Sequence, residues 1–384
     1  MKRKITYLPV LIAASIFIIQ GCKKYESPPE CGGSKVTVTT QKVLVTGLND
    51  PRGLKFGPDG NLYVAEGGIG GTNSSVGLCT QVLPSPEGPG PYLGSNTGSR
   101  ISRIENNGNR TTYVDHLPSS ITNPQTGSGI SGVADVAFIG NDMYAILAGA
   151  GCSHGVPDIP NGVIKINHDR TWKIIANLSE FQMSHPVKNP NPGDFEPDGT
   201  WWSMINYGGN LYAVEPNHGE LDKITPGGNI SRIIDVSAFE GHIVPTALVA
   251  HNGLFYISNL NTFPVVPGSS SIYVVTQNGQ IKTVATGFTN VLGLVFDNND
   301  RLYVLETNTA AGGLTPGTGD IVRIDQFGNR QVIASGLNFP TAMTFGPDGK
   351  LYVSVWGIGP PGMGQIVQFT FKCENVQADT KSLN

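Results

Sequence analysis

Apolar and polar positions along the chain repeat one short phrase six times: an apolar residue, a tyrosine, then further apolar residues. The six are Leu62-Tyr63-Val64-Ala65-Glu66, Met143-Tyr144-Ala145-Ile146, Leu211-Tyr212-Ala213-Val214-Glu215, Phe255-Tyr256-Ile257-Ser258-Asn259, Leu302-Tyr303-Val304-Leu305-Glu306 and Leu351-Tyr352-Val353-Ser354-Val355. The last three intervals between tyrosines are 44, 47 and 49 residues; the first two, 81 and 68, are stretched by insertions rich in Gly, Pro and Ser. Each phrase follows another apolar run and a tight turn, most plainly Gly57-Pro58-Asp59-Gly60 and Gly346-Pro347-Asp348-Gly349, which is hairpin chemistry. A third run and a fourth come after it, as in Asp320 to Ile324 and Arg330 to Gly336. Four antiparallel strands per unit of ~45 residues is the spacing of a propeller blade. The pattern predicts an all-β fold, a six-bladed β-propeller over 35–372.

The last unit stops after its third strand, near Phe371, while a strand-like segment from Lys35 to Val45 has no unit of its own. The N-terminal strand is therefore expected to close the last blade, leaving 373–384 as a tail. Cys31 and Cys373 flank the two strands that would pair, and Cys79 and Cys152 lie in the insertions of adjacent blades. Four cysteines allow three connectivities; pairing 31 with 373 and 79 with 152 is the one the topology favours.

Ahead of the propeller, Lys2, Arg3 and Lys4 precede an apolar stretch from Tyr7 to Ile19, and Gln20-Gly21-Cys22 follows. The stretch is shorter than the ~20 residues of a spanning helix and reads as a leader. Gly21 before Cys22 resembles a lipobox, so 1–21 is expected to be a lipoprotein signal peptide, Cys22 the lipidation site and 22–34 a linker. An ordinary secretory signal cut nearby is the alternative. Either exports the protein, and the first places it in the cell envelope, held by lipid to a membrane and facing periplasm or cell surface. An oxidising compartment permits the disulfides.

Composition agrees: 50 glycines, 27 prolines and only 14% charged residues suit short strands and irregular loops. A net charge of −4 with no basic cluster argues against nucleic acid as a partner.

The stretches Thr46 to Glu66, Gly98 to Ile104 and Asn217 to Ile224 resemble the ScyD/ScyE family of β-propeller proteins, within the wider six-bladed group that includes NHL, gluconolactonase-like and TolB-like propellers. The resemblance spans nearly the whole mature chain and implies a fold more than a reaction. The lead-in Glu196-Pro-Asp-Gly-Thr-Trp-Trp202 departs from it.

Candidate chemistry follows the repeat. Three residues past each tyrosine stand Glu66, Leu147, Glu215, Asn259, Glu306 and Val355; about thirteen before it stand Asp50, Ser131, Asp198, His242, Asn290 and Asn338. In a propeller these positions meet at the rim of the central channel. Glu66, Glu215, Asn259 and Glu306 would offer hard oxygen ligands to Ca²⁺ or Mg²⁺, resembling the site type of gluconolactonase-like propellers. Asp50, Arg52, Asp135, Asp198, Asn290 and Asn338 would bind a ligand. The opposing expectation is that the carboxylates satisfy strand-end amides and nearby arginines. Asp135 interrupts an apolar inner strand, where it either lines the channel or bonds local backbone. Gly151-Cys152-Ser153-His154-Gly155 has nucleophile-elbow spacing without the strand-turn-helix setting that motif needs. No histidine pair has zinc-protease spacing. His218 and His242 are the candidate general bases, as in streptogramin lyases.

Two functions fit: a tethered propeller binding a small molecule, glycan or protein at its loop face, or a divalent-metal-dependent hydrolase or lyase, lactonase-like, at the channel mouth. A quinone-dependent sugar dehydrogenase is a third.

Overall fold

The computed structural model describes residues 35–80, 91–190 and 193–373. Cys22, Cys31, the leader and the tail beyond Cys373 lie outside these residues. Six antiparallel sheets, the blades, stand in a ring. Their innermost strands are Pro51–Phe56, Val133–Ile139, Ser203–Tyr207, Pro245–His251, Val291–Phe296 and Ala342–Phe345, each packed beside the next, the sixth against the first. Two short helices, Leu178–Ser184 and Ser237–Glu240, sit in the connections that flank blade 3. No helix among the described residues is long and apolar enough to cross a membrane.

The repeated tyrosine has a physical cause. Tyr63 packs edge-on against Phe138, Tyr256 against Phe296, Tyr303 against Phe345 and Tyr352 against Phe56, with ring centroids 5.2, 4.9, 5.0 and 5.0 Å apart. In each case the phenylalanine ends or nearly ends the inner strand of the following blade, so one aromatic pair cements each of these four interfaces. The hydroxyls of Tyr63 and Tyr352 donate to Asp59 and Asp348 at 3.0 and 2.9 Å. Those aspartates belong to the Pro-Asp-Gly turns, whose Gly60 and Gly349 take positive φ. Turn, tyrosine and interface are one unit, which is why they recur together.

The N-terminal strand closes the ring as expected. Val36–Leu48 is the outer strand of blade 6, paired antiparallel with Gly364–Cys373 from Val36 opposite Cys373 to Leu48 opposite Gly364. The beginning of the strand is also clasped sideways. The Gln331 side chain of blade 5 accepts from the Val36 N–H at 3.1 Å and donates to the Val36 carbonyl at 2.6 Å, as a neighbouring strand would. Gln331→Ala is expected to cost about 1–3 kcal/mol. Urea unfolding measures this, and limited proteolysis should then cut the N-terminal strand sooner; an unchanged midpoint would mean the clasp contributes nothing.

Candidate functional site at the channel mouth

At the end of the second strands, the three glutamates perform one task. Glu66 Oε2 accepts from Asn49 N–H at 2.7 Å, Glu215 Oε1 from Thr200 N–H at 2.9 Å and Glu306 Oε1 from Thr289 N–H at 2.6 Å. Each donor lies in the segment leading into the inner strand of the same blade. That segment must turn sharply, and a residue just ahead of the strand takes positive φ at Asp50, Val244, Asn290 and Phe339. A bend this tight leaves amides without strand partners, and a buried carboxylate supplies them. Asn259 does a related job, its Oδ1 accepting from Ser271 N–H at 2.7 Å. Leu147 and Val355, at the same phase, are buried apolar residues.

Beyond that shared bond the glutamates differ. Glu66 is fully buried and accepts two bonds from Arg100 at 3.0 Å each and one from Ser102; Arg110 lies 3.4 Å away. Glu215 accepts further from the N–H groups of Asn217 at 3.1 Å, His218 at 2.6 Å and Gly219 at 3.3 Å. Glu306 is the least engaged. Burial pushes its carboxyl up to about 7 against the Thr289 N–H, which holds it down. Among the described residues, no three acidic, histidine or cysteine ligand atoms drawn from this set gather within one ion's reach.

The channel has a layer of small residues, one per blade: Gly53, Asp135, Ser203, Ala247, Gly293 and Ala342. Asp135 fills the room the others leave, and a Cβ on Gly53 would overlap its carboxylate. It both lines the channel and bonds backbone, though the backbone includes another blade's. Its Oδ2 accepts from Met204 N–H of blade 3 at 2.9 Å, its Oδ1 from Val136 N–H at 2.8 Å, and Lys55 Nζ of blade 1 stands 3.9 Å off. Burial raises its pKa despite these partners. The space left on the axis is ≈ 20 Å³, about the room of one water. The channel interior thus has no room for anything much larger than water.

Across that mouth runs Arg52. Its Nε donates to Asp50 at 2.9 Å, its Nη2 to the Ile130 carbonyl of blade 1's outer extension, and its guanidinium lies 4.4 Å from the ring centroid of Trp202 in blade 3. Asn290 donates to the Leu260 carbonyl at 2.6 Å. Asn338 is half-buried, its carbonyl accepting from Trp356 N–H at 2.7 Å.

Beside blade 3 the connectors add a polar cluster. His218 Nε2 is 3.0 Å from Asp194 and its Nδ1 3.5 Å from Glu215. Burial works against its charge, but Glu215 and Asp194 outweigh it and push the imidazole up to about 10, so it stays an imidazolium at neutral pH. His242, half-buried nearby, moves the other way: burial lowers it, and with the positive His218 outweighs Glu215 and Asp194, which pull it up. Behind them, Tyr92 donates to Glu196 at 3.0 Å, and Glu196 also meets His154 Nε2 at 3.1 Å. Glu196 is held well above the usual carboxyl range by burial, with Glu215, Asp194 and Asp198 adding to it. Ser153 donates to Asp198 and lies 3.0 Å from His154 Nδ1. Ser153 and His154 are fully buried, so the elbow-like spacing serves packing.

The structure thus brings His218 and Glu215 of blade 3 near His242 in the lead-in to blade 4, and Asp50 and Arg52 to the mouth. His242 sits two residues before Val244, the residue that takes the bend in its blade, and Asn338 one before Phe339. Asp194, Glu196, Tyr92 and Trp202 have no place in the repeat, so phase counting missed them. The Glu196 lead-in, which departs from the repeat's usual wording, was their one sequence signal.

No family model and no curated protein matches the sequence. Solved structures do match in shape. An oxidoreductase (glucose dehydrogenase) from Thermus thermophilus superposes with a TM-score of 0.53 at 16% identity, over 86% of this chain and 99% of its own. The chain is a six-bladed β-propeller with gluconolactonase-like neighbours. One is the Xanthomonas campestris gluconolactonase, at TM-score 0.51 and 8% identity over 90% of this chain and 97% of its own. Another is the calcium-binding regucalcin of Agrobacterium tumefaciens, at 0.52 and 13% over 87% and 95%. At such identities the likeness speaks for the fold.

Proposed function

We propose that this protein is an exported, lipid-anchored propeller of the ScyD/ScyE type that binds a small polar molecule, glycan or partner protein on its loop face, over blades 1 to 3. The observation that carries this reading is Arg52, which crosses from blade 1 to stack on Trp202 of blade 3 above a channel too narrow for a ligand. The half-buried Trp202 indole, backed by the mostly buried Arg52 guanidinium and with the partly exposed Asp194 beside blade 3, offers a small apolar face edged by polar groups. The strand-end carboxylates support it by default, since their oxygens already serve the protein's own amides. Arg52→Ala with Trp202→Ala should abolish retention of whatever ligand a glycan and metabolite thermal-shift screen identifies; because Arg52 also pairs with the buried Asp50, circular dichroism confirms the fold of the variant, and Trp202→Ala alone should weaken retention in the same direction. Undiminished binding would refute the location.

One observation favours the metal-dependent hydrolase or lyase: His242, with its pKa lowered, sits beside His218 held as an acid, a base and acid side by side. Ca²⁺ or Mg²⁺ would then rest on Glu306, the least committed carboxylate. The same scaffold carries a gluconolactonase and a calcium-binding protein. Lactone or ester turnover, lost with EDTA and in His242→Ala, is the expected outcome on this reading; no turnover and no metal by elemental analysis would exclude it.

A further inference from the structure

Cys79 and Cys152 form a disulfide that ties the insertion of blade 1 to that of blade 2, with a Cα separation of 5.6 Å. Both sulfurs belong to half-buried residues, and an oxygen of the buried Asp198 lies with them inside a sphere where all three atoms are within 4.8 Å of one another. Asp198 is only 1% exposed. Its Oδ1 is taken by Ser153, but its Oδ2 is buried and has no hydrogen-bond partner among the described residues. A bare carboxylate oxygen in such a place is costly unless something positive or protic meets it. Gly151 leaves the room it occupies, since a Cβ there would overlap Oδ2.

We infer that Cys79, Cys152 and Asp198 form a redox-gated site for one thiophilic divalent cation of the Zn²⁺ type, closed while the disulfide stands and opened by a dithiol reductant. The reductant's two thiols become its own disulfide, the Cys79–Cys152 bond takes up the two electrons, and the two protons pass to the cysteines. Binding the cation then displaces both thiol protons to solvent, leaving two thiolates on the metal. Zinc–sulfur bonds of ~2.3 Å in a tetrahedral site hold two sulfurs roughly 3.7 Å apart. With the two Cα atoms 5.6 Å apart, side-chain rotation after reduction can bring both sulfurs onto one ion. Asp198 gives the third ligand and water the fourth, the open arrangement of a three-ligand zinc site. The carboxylate is aimed from behind: Ser153 holds Oδ1, His154 Nδ1 meets Ser153, and Glu196 meets His154 Nε2. Such supporting bonds fix ligand orientation.

The test uses the full chain with Cys22, Cys31 and Cys373 changed to serine, so that Cys79 and Cys152 are its remaining thiols. In the oxidised form, equilibrium dialysis against Cd²⁺ should show no uptake. After reduction with a dithiol and its removal under argon, one Cd²⁺ per chain should bind, with a thiolate-to-cadmium charge-transfer band in the ultraviolet. Asp198→Asn should weaken binding by at least ~10-fold and Ser153→Ala by ~10- to 100-fold, with circular dichroism confirming the fold. If the serine background does not fold, the otherwise unmodified chain is compared with Cys79→Ser/Cys152→Ser, which should lose one bound ion on reduction. A folded, reduced protein that takes up no cation overturns the inference. So does uptake that Asp198→Asn leaves unchanged, or that survives loss of both cysteines.

Discussion

Glu66→Ala should destabilise the propeller by about 3–5 kcal/mol, the usual loss when one side of a buried ion pair is removed. Glu66 is fully buried and neutralises Arg100 and Arg110, themselves 24% and 19% exposed as side chains. It also serves the Ser102 hydroxyl and the Asn49 amide. Truncation leaves the Arg100 guanidinium, the Ser102 hydroxyl and the Asn49 amide without this acceptor and removes the countercharge of Arg110, which keeps its bond to the Gly47 carbonyl, at the junction where the closing strand passes into blade 1. Glu66→Gln keeps one acceptor oxygen and should lose less. Chemical denaturation of the three proteins measures both effects; an Ala variant within about 1 kcal/mol of the parent would show that water replaces the carboxylate at little cost. The same experiment bears on metal binding, because a Glu66 engaged by an ion would give a chelator-dependent loss, whereas one engaged by arginines gives the same loss with or without EDTA.

Stability should also fall as pH rises, and blade 3 is the reason. Glu220 and Asp222, both fully buried, share one face of a strand. Arg232 bonds Glu220, and Trp201 Nε1 donates to Asp222 at 3.2 Å. Burial raises both carboxyl pKa values; Asp222 adds to it for Glu220 against Arg232, and Glu215 adds to it for Asp222 against Trp201, Arg232 and the bond with Glu220. The folded state therefore keeps protons that the unfolded chain has released. Their contribution is whole below the unfolded carboxyl pKa, about 4, and is lost progressively as pH climbs through neutrality and beyond. Asp222→Asn keeps an acceptor for Trp201 and cannot ionise. It should flatten the pH profile and exceed the parent at about pH 8 by on the order of 1–3 kcal/mol, while giving no gain at about pH 4. Melting both proteins across this range decides the matter; parallel profiles would mean the pair does not titrate there.

The ring was legible because its cement is periodic. A tyrosine on one blade meets a phenylalanine on the next, and in the Pro-Asp-Gly units the turn aspartate that fixes the tyrosine sits four residues before it, so the contact is written locally and recurs with small changes. Closure was legible by counting strands, and the disulfide of Cys79 with Cys152 by the adjacency of blades 1 and 2. The candidate site was less so. The inner strands of blades 1, 2, 4 and 5 carry a register irregularity near their start, while that of blade 3 has none, so a fixed count lands on different geometric positions. Blade 4 adds a helical turn and Gly241 in its lead-in, which moves His242 two residues off phase. Asp194, Glu196 and Tyr92 come from connectors of unequal length, where no period exists to read. Asp135 was visible as an anomaly, but its partner, the Met204 amide, depends on how two blades abut.

Pairing the first described strand with the last makes completion of blade 6 wait for the last described strand. Every other blade can assemble as its four strands emerge, since each is contiguous in sequence. Val36–Leu48 cannot, because Gly364–Cys373 is synthesised after all the other described strands. Until then the first strand offers an unpaired edge. The inner strands can meet sooner, since Ala342–Phe345 and Leu351–Val355 precede Gly364 and pack on Pro51–Phe56. The ring thus closes from the axis outward, and its outermost seam is the last part to be protected.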